Sequence, residues 1–465
     1  MALALAVPYA TPALRRLRVV PAPWDQAHQA EEGRDIQAAT VGPPPAIGEQ
    51  TLPASENTPT VNNALPAESG VTLPALDPKV LAALRPMPIE DPSGHGLDAL
   101  FARLARTQDR EPGAITRILH YGDSVIASDY VSGTVRRRLQ ARFGDAGHGF
   151  ILIANPWDWY FHNDVIHGSS GDWKASRITG PWAADGLYGL GGVSFSNWGG
   201  AEAWVGTPSA GDFGRRASSL SLYYLEQPSG GDVEIRVRKG PVIRFSTRGE
   251  TKVSRVQSVH FEDGEAKVAV RALGRGQARL FGVALERDGP GVVYDALGVH
   301  AARALYWLHQ NRAHWKEQFA LRDPALVVIQ YGTNDSDQSL DREDYGRTFG
   351  KLLDELREVA PDASLLVLSP LDRAGYRDGR LITKPVIVDL VAIQRRCALD
   401  RGIPFWSTFE AMGGEGSIAR WWKTRPQLAG DDWTHPTPRG AEVIGDMLSD
   451  AILQALAAWR ERRGR

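Results

Sequence analysis

The sequence predicts an α/β protein: a parallel sheet covered by helices on both faces, interrupted by an inserted all-β module of sandwich type. Three observations carry this prediction. Strand-like and helix-like runs alternate on both sides of a central region, the pattern of a parallel sheet. The central region, residues 192–287, holds short alternating runs separated by Gly, Asp, Pro and Ser, with no convincing helix. Several apolar runs end in Gly-containing polar turns and lead into helical spacing, as strand ends do in an open parallel sheet.

The elements follow in order. Residues 1–90 are expected to be an N-terminal export or tether segment, largely a disordered linker. The stretch "MALALAVPYATPALRRLRVV" is apolar and Ala-rich but has no positive charge ahead of its apolar run. It reads either as a weak or truncated export signal or as a disordered tail. The following "GPPPAIGEQTLPASENTPTVNNALPAESG" is too polar and proline-broken to bury a core. Residues 91–191 form the first part of the α/β domain. In "ILHYGDSVIASDYVSGTVRRRL" a strand feeds a helix through a tight turn, with Val131, Val135, Leu139 and Phe143 at helical spacing. The aromatic-rich "NPWDWYFHNDVIHGSSGDWKASRITGPW" is either a long ordered loop packed on the domain or a sugar-binding rim. After the module, residues 288–465 complete the domain. "ALVVIQYG", "SLLVLSP" and "IPFWST" are strands, and "YGRTFGKLLDELREVAPD" and "VIVDLVAIQRRCALD" are helices. Thr437 and Pro438 open the last helix as N-cap and first helical residue.

Bulk composition narrows the function. At 465 residues the chain exceeds one ordinary domain, and 43% hydrophobic with 23% charged residues fits a globular protein. A net charge of -2 gives no electrostatic case for nucleic acid or an anionic membrane. No run is long enough to span a bilayer. The single cysteine, Cys397, excludes an internal disulfide and reads as a buried small side chain. One Cys and no close His pairs assemble no metal motif.

Four separated stretches can carry chemistry together. Gly122-Asp123-Ser124 follows the first strand. "VVYDALGVHAARALYW" places Gly298 at a strand end. "VVIQYGTNDSD" places Gly332-Thr333-Asn334-Asp335 at another. "DDWTHPTPRG" sets Asp432 three residues before His435. Loops at the carboxyl ends of parallel strands gather around one crevice. Ser124 is either a helix cap or a nucleophile, and a nucleophilic serine needs a base. His435 has a side chain whose ordinary pKa suits that task. Asp432 can fix the imidazole tautomer and stabilise the imidazolium. The Ser124 and Gly298 N–H groups and the Asn334 amide can form an oxyanion hole. Gly189, Gly191 and Gly192 in "DGLYGLGGVSF" are alternative oxyanion glycines. Asp335 reads as a turn brace, His120 as a packed strand residue, and His148, His162, His167 and His300 as structural or exposed. Asp431 neighbours Asp432 but lacks its spacing to His435.

These blocks resemble the SGNH (GDSL) hydrolase family: serine in Gly-Asp-Ser, an oxyanion glycine, asparagine in Gly-x-Asn-Asp and histidine in Asp-x-x-His. Ser124, Gly298, Asn334, Asp432 and His435 match block by block. Gly298 matches least well, because the family block is often Asn-x-Gly-x-x-Gly and this chain has Ala296-Leu297-Gly298-Val299-His300-Ala301. The resemblance runs from about Ile118 to the C-terminus, minus the insert, and implies a three-layer α/β/α fold. A β-sandwich between the first two blocks is similar to bacterial peptidoglycan O-acetylesterases, whose inserted module resembles carbohydrate-binding modules. It implies a serine esterase that needs no cofactor and removes O-acetyl groups from a cell-wall glycan or another acetylated polysaccharide. It further implies an extracytoplasmic location, periplasmic or secreted. A polysaccharide O-acetyltransferase using the same acyl-serine, and a non-catalytic carbohydrate-binding protein, are the competing expectations.

Overall fold

The computed structural model describes residues 84–157, 160–170, 172–337 and 339–464. The expected export or tether segment lies outside the described residues up to residue 83. Within its last part, Glu90 bridges to Phe405, and Met87 O accepts a hydrogen bond from Trp406 Nε1 at 3.0 Å.

Helix α1 (Asp98–Gln108) leads into strand β1 (Ile115–Gly122). Helices α2 (Ser124–Ala127) and α3 (Tyr130–Phe143) follow. Eleven strands come next: β2 (Gly147–Ile151), β3 (Ile166–Ser169), β4 (Lys174–Arg177), β5 (Val193–Asn197), β6 (Glu202–Gly206), β7 (Ala217–Glu226), β8 (Asp232–Val237), β9 (Val242–Ser246), β10 (Val253–Gly264), β11 (Lys267–Gly274) and β12 (Ala278–Glu286). Strand β13 (Gly291–Gly298), helix α4 (Arg312–Arg322), strand β14 (Leu326–Gln330), helix α5 (Arg342–Val359) and strand β15 (Ser364–Leu368) resume the α/β alternation. A hairpin, β16 (Ala374–Arg377) and β17 (Arg380–Thr383), precedes helix α6 (Pro385–Leu399) and strand β18 (Phe405–Trp406). Helices α7 (Thr408–Ala411), α8 (Ser417–Trp422) and α9 (Pro438–Arg462) complete the order.

The parallel sheet has the order β13-β1-β14-β15-β18. Its strands alternate sharply. Ile118, Val292, Tyr294, Leu326, Val328, Leu366 and Leu368 pack with α1, α3 and α9. Leu119, Tyr121, Val327, Ile329, Leu365 and Val367 belong to the cluster that holds Trp315, Leu352, Leu353 and Leu390 of α4, α5 and α6. Strict two-residue alternation with both faces apolar is what a sheet between two helical layers requires. The predicted stripe of α3 is buried at Val131, Val135, Leu139 and Phe143. Thr437 caps α9, its hydroxyl accepting from Gly440 N at 3.2 Å, with Pro438 at the first position.

From β1 the chain goes to β13 on one side and then to β14 on the other. The strand order therefore reverses at β1, and a crevice opens at its carboxyl end. Between β1 and β13 lie two antiparallel sheets, β10-β7-β12-β5-β4 with β2 paired to β12, and β3-β6-β11-β8-β9. Their buried residues join one apolar cluster. Strands β2, β3 and β4 precede residue 192 yet pair into these same sheets, so the aromatic-rich stretch supplies strands as well as loop. Among the described residues no helix is long and apolar enough to cross a membrane.

Candidate active site

Strand β1 ends at Gly122, where a Cβ would overlap the Ile126 side chain. The missing side chain lets α2 turn back tightly onto the strand. Asp123 then caps α2, its Oδ1 accepting from Val125 N at 3.1 Å. Burial raises the Asp123 pKa, while hydrogen bonds from Val125 and Thr333 oppose the rise. Ser124 opens α2 and is buried to 7% exposure. Its Oγ lies 2.7 Å from His435 Nε2. The cap and the nucleophile position are thus adjacent residues: Asp123 does the capping and Ser124 faces the histidine.

His435 arrives from the other end of the sequence. It stands two residues before the N-cap of α9, and that helix start is pinned. Thr437 Oγ1 donates to Gln427 O at 2.7 Å, and Thr437 N to Leu428 O at 3.0 Å. Gly440 lies so close to Leu428 that a Cβ would overlap the Leu428 carbonyl. Pro436, bridged to Ala429, holds the segment extended. Residues 430–432 form a separate unit from this body, and within it Asp432 is half-buried.

The third loop leaves β14 through Gly332, whose φ of +136° is left-handed and which faces Pro370 too closely for a Cβ. Asn334 follows, and its Nδ2 donates to Ala302 O at 2.9 Å. That carbonyl belongs to the turn after Gly298, closed by Ala302 N to Val299 O at 3.1 Å. Gly298 itself pairs with Gly122 across the sheet. A Cβ there would overlap the Ala127 amide nitrogen, so this glycine lets α2 lie against β13. Ala301, at φ +58°, carries the turn's left-handed corner. Asp335 is buried, and its Oδ2 has no hydrogen-bond partner. Burial, with the Asp123 charge added and Arg303 opposing, raises its pKa to about 7.

Two neighbours of this site escape sequence reasoning. Arg373 reaches from the chain after β15 to both loops. Its Nη1 donates to Thr333 O at 2.9 Å and Ser336 Oγ at 2.8 Å, and its Nε to Thr434 Oγ1 at 3.1 Å. Asp337 Oδ1 lies 2.6 Å from the same guanidinium. Arg373 therefore ties the Asn334 loop to the His435 loop. His300, expected to be structural or exposed, is partly buried and feels the charge of His435. Burial, then the charges of His435 and Arg177, lowers its pKa to about 4, so it is neutral at pH 7. Trp157 meets it edge-on with ring centroids 6.1 Å apart. No local motif marks Arg373, whose hydrogen-bond partners Ser336 and Thr434 lie 37 and 61 positions away.

The remaining candidates sit elsewhere. His120 is fully buried, accepts or donates at Tyr294 Oη over 2.9 Å, and burial lowers its pKa to about 3. His148 Nε2 bonds Gly214 O at 2.8 Å, and His162 Nδ1 bonds Asn163 O at 3.1 Å. Buried His167 packs on Tyr160. Gly189 N donates to His314 Nε2 at 2.9 Å, which commits that alternative oxyanion donor to packing. Gly191 packs against Leu152 and Phe150, and Gly192 against Trp307. Cys397 is buried, and burial raises its thiol pKa.

A serine and a histidine in hydrogen-bond contact at the switch point of a three-layer parallel sheet define a serine-hydrolase type of site on an α/β scaffold. Residues 263–443 match the family described as GDSL-like Lipase/Acylhydrolase, a range that takes in Gly298, Asn334, Asp432 and His435 and begins after Ser124. A GDSL lipase of Mycobacterium tuberculosis is 31% identical over 137 residues, 29% of this chain and 52% of that protein. The chain thus spans about half the length of this curated relative. The solved structure of a peptidoglycan O-acetylesterase superposes with a TM-score of 0.66 at 20% identity, covering 80% of this chain and 99% of that one. Over residues 263–443 the chain is similar to the GDSL-like lipase/acylhydrolase family, and its fold is similar to that of the peptidoglycan O-acetylesterase.

Proposed function

We propose that this protein is a serine carbohydrate esterase that removes O-acetyl groups from a cell-wall polysaccharide, peptidoglycan in the first instance. The observation that carries the esterase reading is the 2.7 Å contact between Ser124 Oγ and His435 Nε2 at the carboxyl edge of the parallel sheet. His435 takes the Ser124 proton as Oγ attacks the acetyl carbonyl carbon. The negative charge on the carbonyl oxygen falls to the N–H groups of Ser124 and Gly298 and the Asn334 amide. Collapse breaks the bond to the sugar oxygen, which takes the proton from His435. Water then attacks the acetyl-serine with His435 again as base, giving acetate and free Ser124. Asp432, on its Asp-x-x-His spacing, is assigned to fix the tautomer that leaves Nε2 free to accept. No step draws on a cofactor.

The substrate is carried over from the fold relative that acts on O-acetylated peptidoglycan, and with it the proposal that the protein works outside the cytoplasm. The antiparallel sheets are assigned to holding the glycan. The test is acetate release from p-nitrophenyl acetate and from O-acetylated peptidoglycan, each with the Ser124→Ala variant beside it. Turnover of both substrates, lost by about 10⁴-fold or more in the variant, is the expected outcome. An active Ser124→Ala protein removes the serine from the mechanism. Acetyl transfer to an added oligosaccharide, with no release to water, replaces the esterase with a transferase.

A further inference from the structure

Hairpin β16–β17 is a two-stranded sheet of its own, separate from the three larger sheets. Its root is fixed beside the histidine loop. Ala374 N donates to Trp433 O at 3.0 Å and Lys384 N to Arg373 O at 2.8 Å. Thr383 Oγ1 donates to the buried Asp372 at 2.7 Å and accepts from Gly416 N at 2.7 Å. A hairpin held at both feet presents its tip rigidly.

That tip combines an aromatic face with unneutralised positive charge. Tyr376 is 64% exposed, and its ring meets Trp433 at 5.2 Å and 73°. Trp433 meets Trp422 at 6.1 Å and 90°. The row runs from solvent to within two residues of His435. Trp433 holds a left-handed φ of +50°, which costs a bulky residue energy and persists only where surroundings impose it. Residues 373–384 contain four cations and one carboxylate. Arg373 and Lys384 pair with Asp337. Arg377 and Arg380 point out. Arg377 has only the 95% exposed Asp378 at 4.0 Å, and Arg380 has no carboxylate within ion-pair distance among the described residues.

We infer that this hairpin is a substrate-binding arm for an anionic glycan strand. Tyr376 stacks on the C–H face of a pyranose ring, and Arg377 and Arg380 pair with carboxylates borne by the strand. A planar guanidinium matches a carboxylate in two hydrogen bonds, which a neutral polysaccharide does not offer. The inference rests on the esterase proposal for the identity of the reacting group and adds to it the charge class of the polymer.

The test uses full-length Ser124→Ala protein, so that binding is read without turnover, and its sedimentation with insoluble peptidoglycan. Tyr376→Leu is expected to weaken binding about fivefold or more, and Tyr376→Phe to restore it. Arg377→Gln with Arg380→Gln is expected to remove the salt-sensitive part of the binding. Binding that is absent in the parent, or equal in the variants, overturns the inference. Binding to neutral acetylated xylan as tight as to peptidoglycan overturns the anionic class. Acetate release by the wild-type protein is measured on the same polymer. Turnover with hairpin-independent binding sinks the arm and spares the esterase. Hairpin-dependent binding without turnover does the reverse.

Discussion

At the scale of single residues, the proposed catalytic serine and histidine are legible because their blocks are local. Gly-Asp-Ser, Gly-Thr-Asn-Asp and Asp-x-x-His each fit within four residues of sequence. Arg373 was not legible, because nothing near "PLDRAGY" says which loops its guanidinium reaches. The structure gives it hydrogen bonds to Thr333 and Ser336 of the Asn334 loop and to Thr434 of the His435 loop. We predict that Arg373→Met lowers kcat on p-nitrophenyl acetate by about 100-fold with KM little changed, the cost of misplacing aligned groups. Arg373→Lys, able to keep one of these bonds, is expected to recover part of kcat. A matched rise in KM with unchanged kcat would show that Arg373 holds substrate rather than the loops. The reading of Gly298 is also sharpened at this scale. Its lack of a side chain is explained by the backbone of α2, independently of any oxyanion role.

At the scale of elements, the strands of the parallel sheet and helices α3 and α9 followed from periodicity and capping. Strands β2, β3 and β4 did not. Each has four or five residues, and β2, "GHGFI", is buried throughout with no alternation to read. Their assignment depends on partners far along the chain, such as Phe150 opposite Ala284. A buried ionic cluster fastens β2 and β12 to the parallel sheet. Arg322 of α4 donates to Asp295 of β13 at 2.6 and 2.7 Å and to Glu286 of β12 at 2.6 Å. Arg117 of β1 reaches Glu286 at 2.8 Å, and Asp295 accepts from Phe150 N of β2 at 2.8 Å. Burial pushes the Glu286 pKa up, but Arg322 and Arg117 overcome it and hold it at about 2. The folded value lies below the unfolded one, so the stabilisation is complete above about pH 4.5 and is lost as pH falls toward 2. Arg322→Met leaves Asp295 without its guanidinium partner in the interior and Glu286 with Arg117 alone, and is predicted to cost about 3–5 kcal/mol. Denaturant unfolding at pH 7 checks the magnitude, and Glu286→Gln, melted across the acid range, checks the slope.

At the scale of the whole molecule, the antiparallel sheets are not an appendage to the parallel one. Leu119, Tyr121 and Val327 of the parallel sheet share one apolar cluster with Phe150, Val193, Leu220 and Leu280. Tyr121 Oη donates to Leu190 O at 3.0 Å across the same region. The body 84–429 with 433–464 is therefore predicted to unfold in a single cooperative calorimetric transition rather than two. A resolved second peak in the wild-type protein would overturn this, and one that appears only in Arg322→Met would show that the ionic cluster rather than the shared core couples the sheets.

The order of the reactive pair along the chain has a consequence for biosynthesis. Ser124 and His435 are 311 positions apart. At ordinary elongation rates, roughly 15–60 s separate their emergence during translation. Throughout that interval Ser124 lacks its partner His435, and strand β1 waits for β13 until all the antiparallel strands have been made. If the proposed mechanism holds, a nascent chain is silent toward esters by construction. On the proposed mechanism, activity begins only once the last loop before α9 has brought His435 to Ser124.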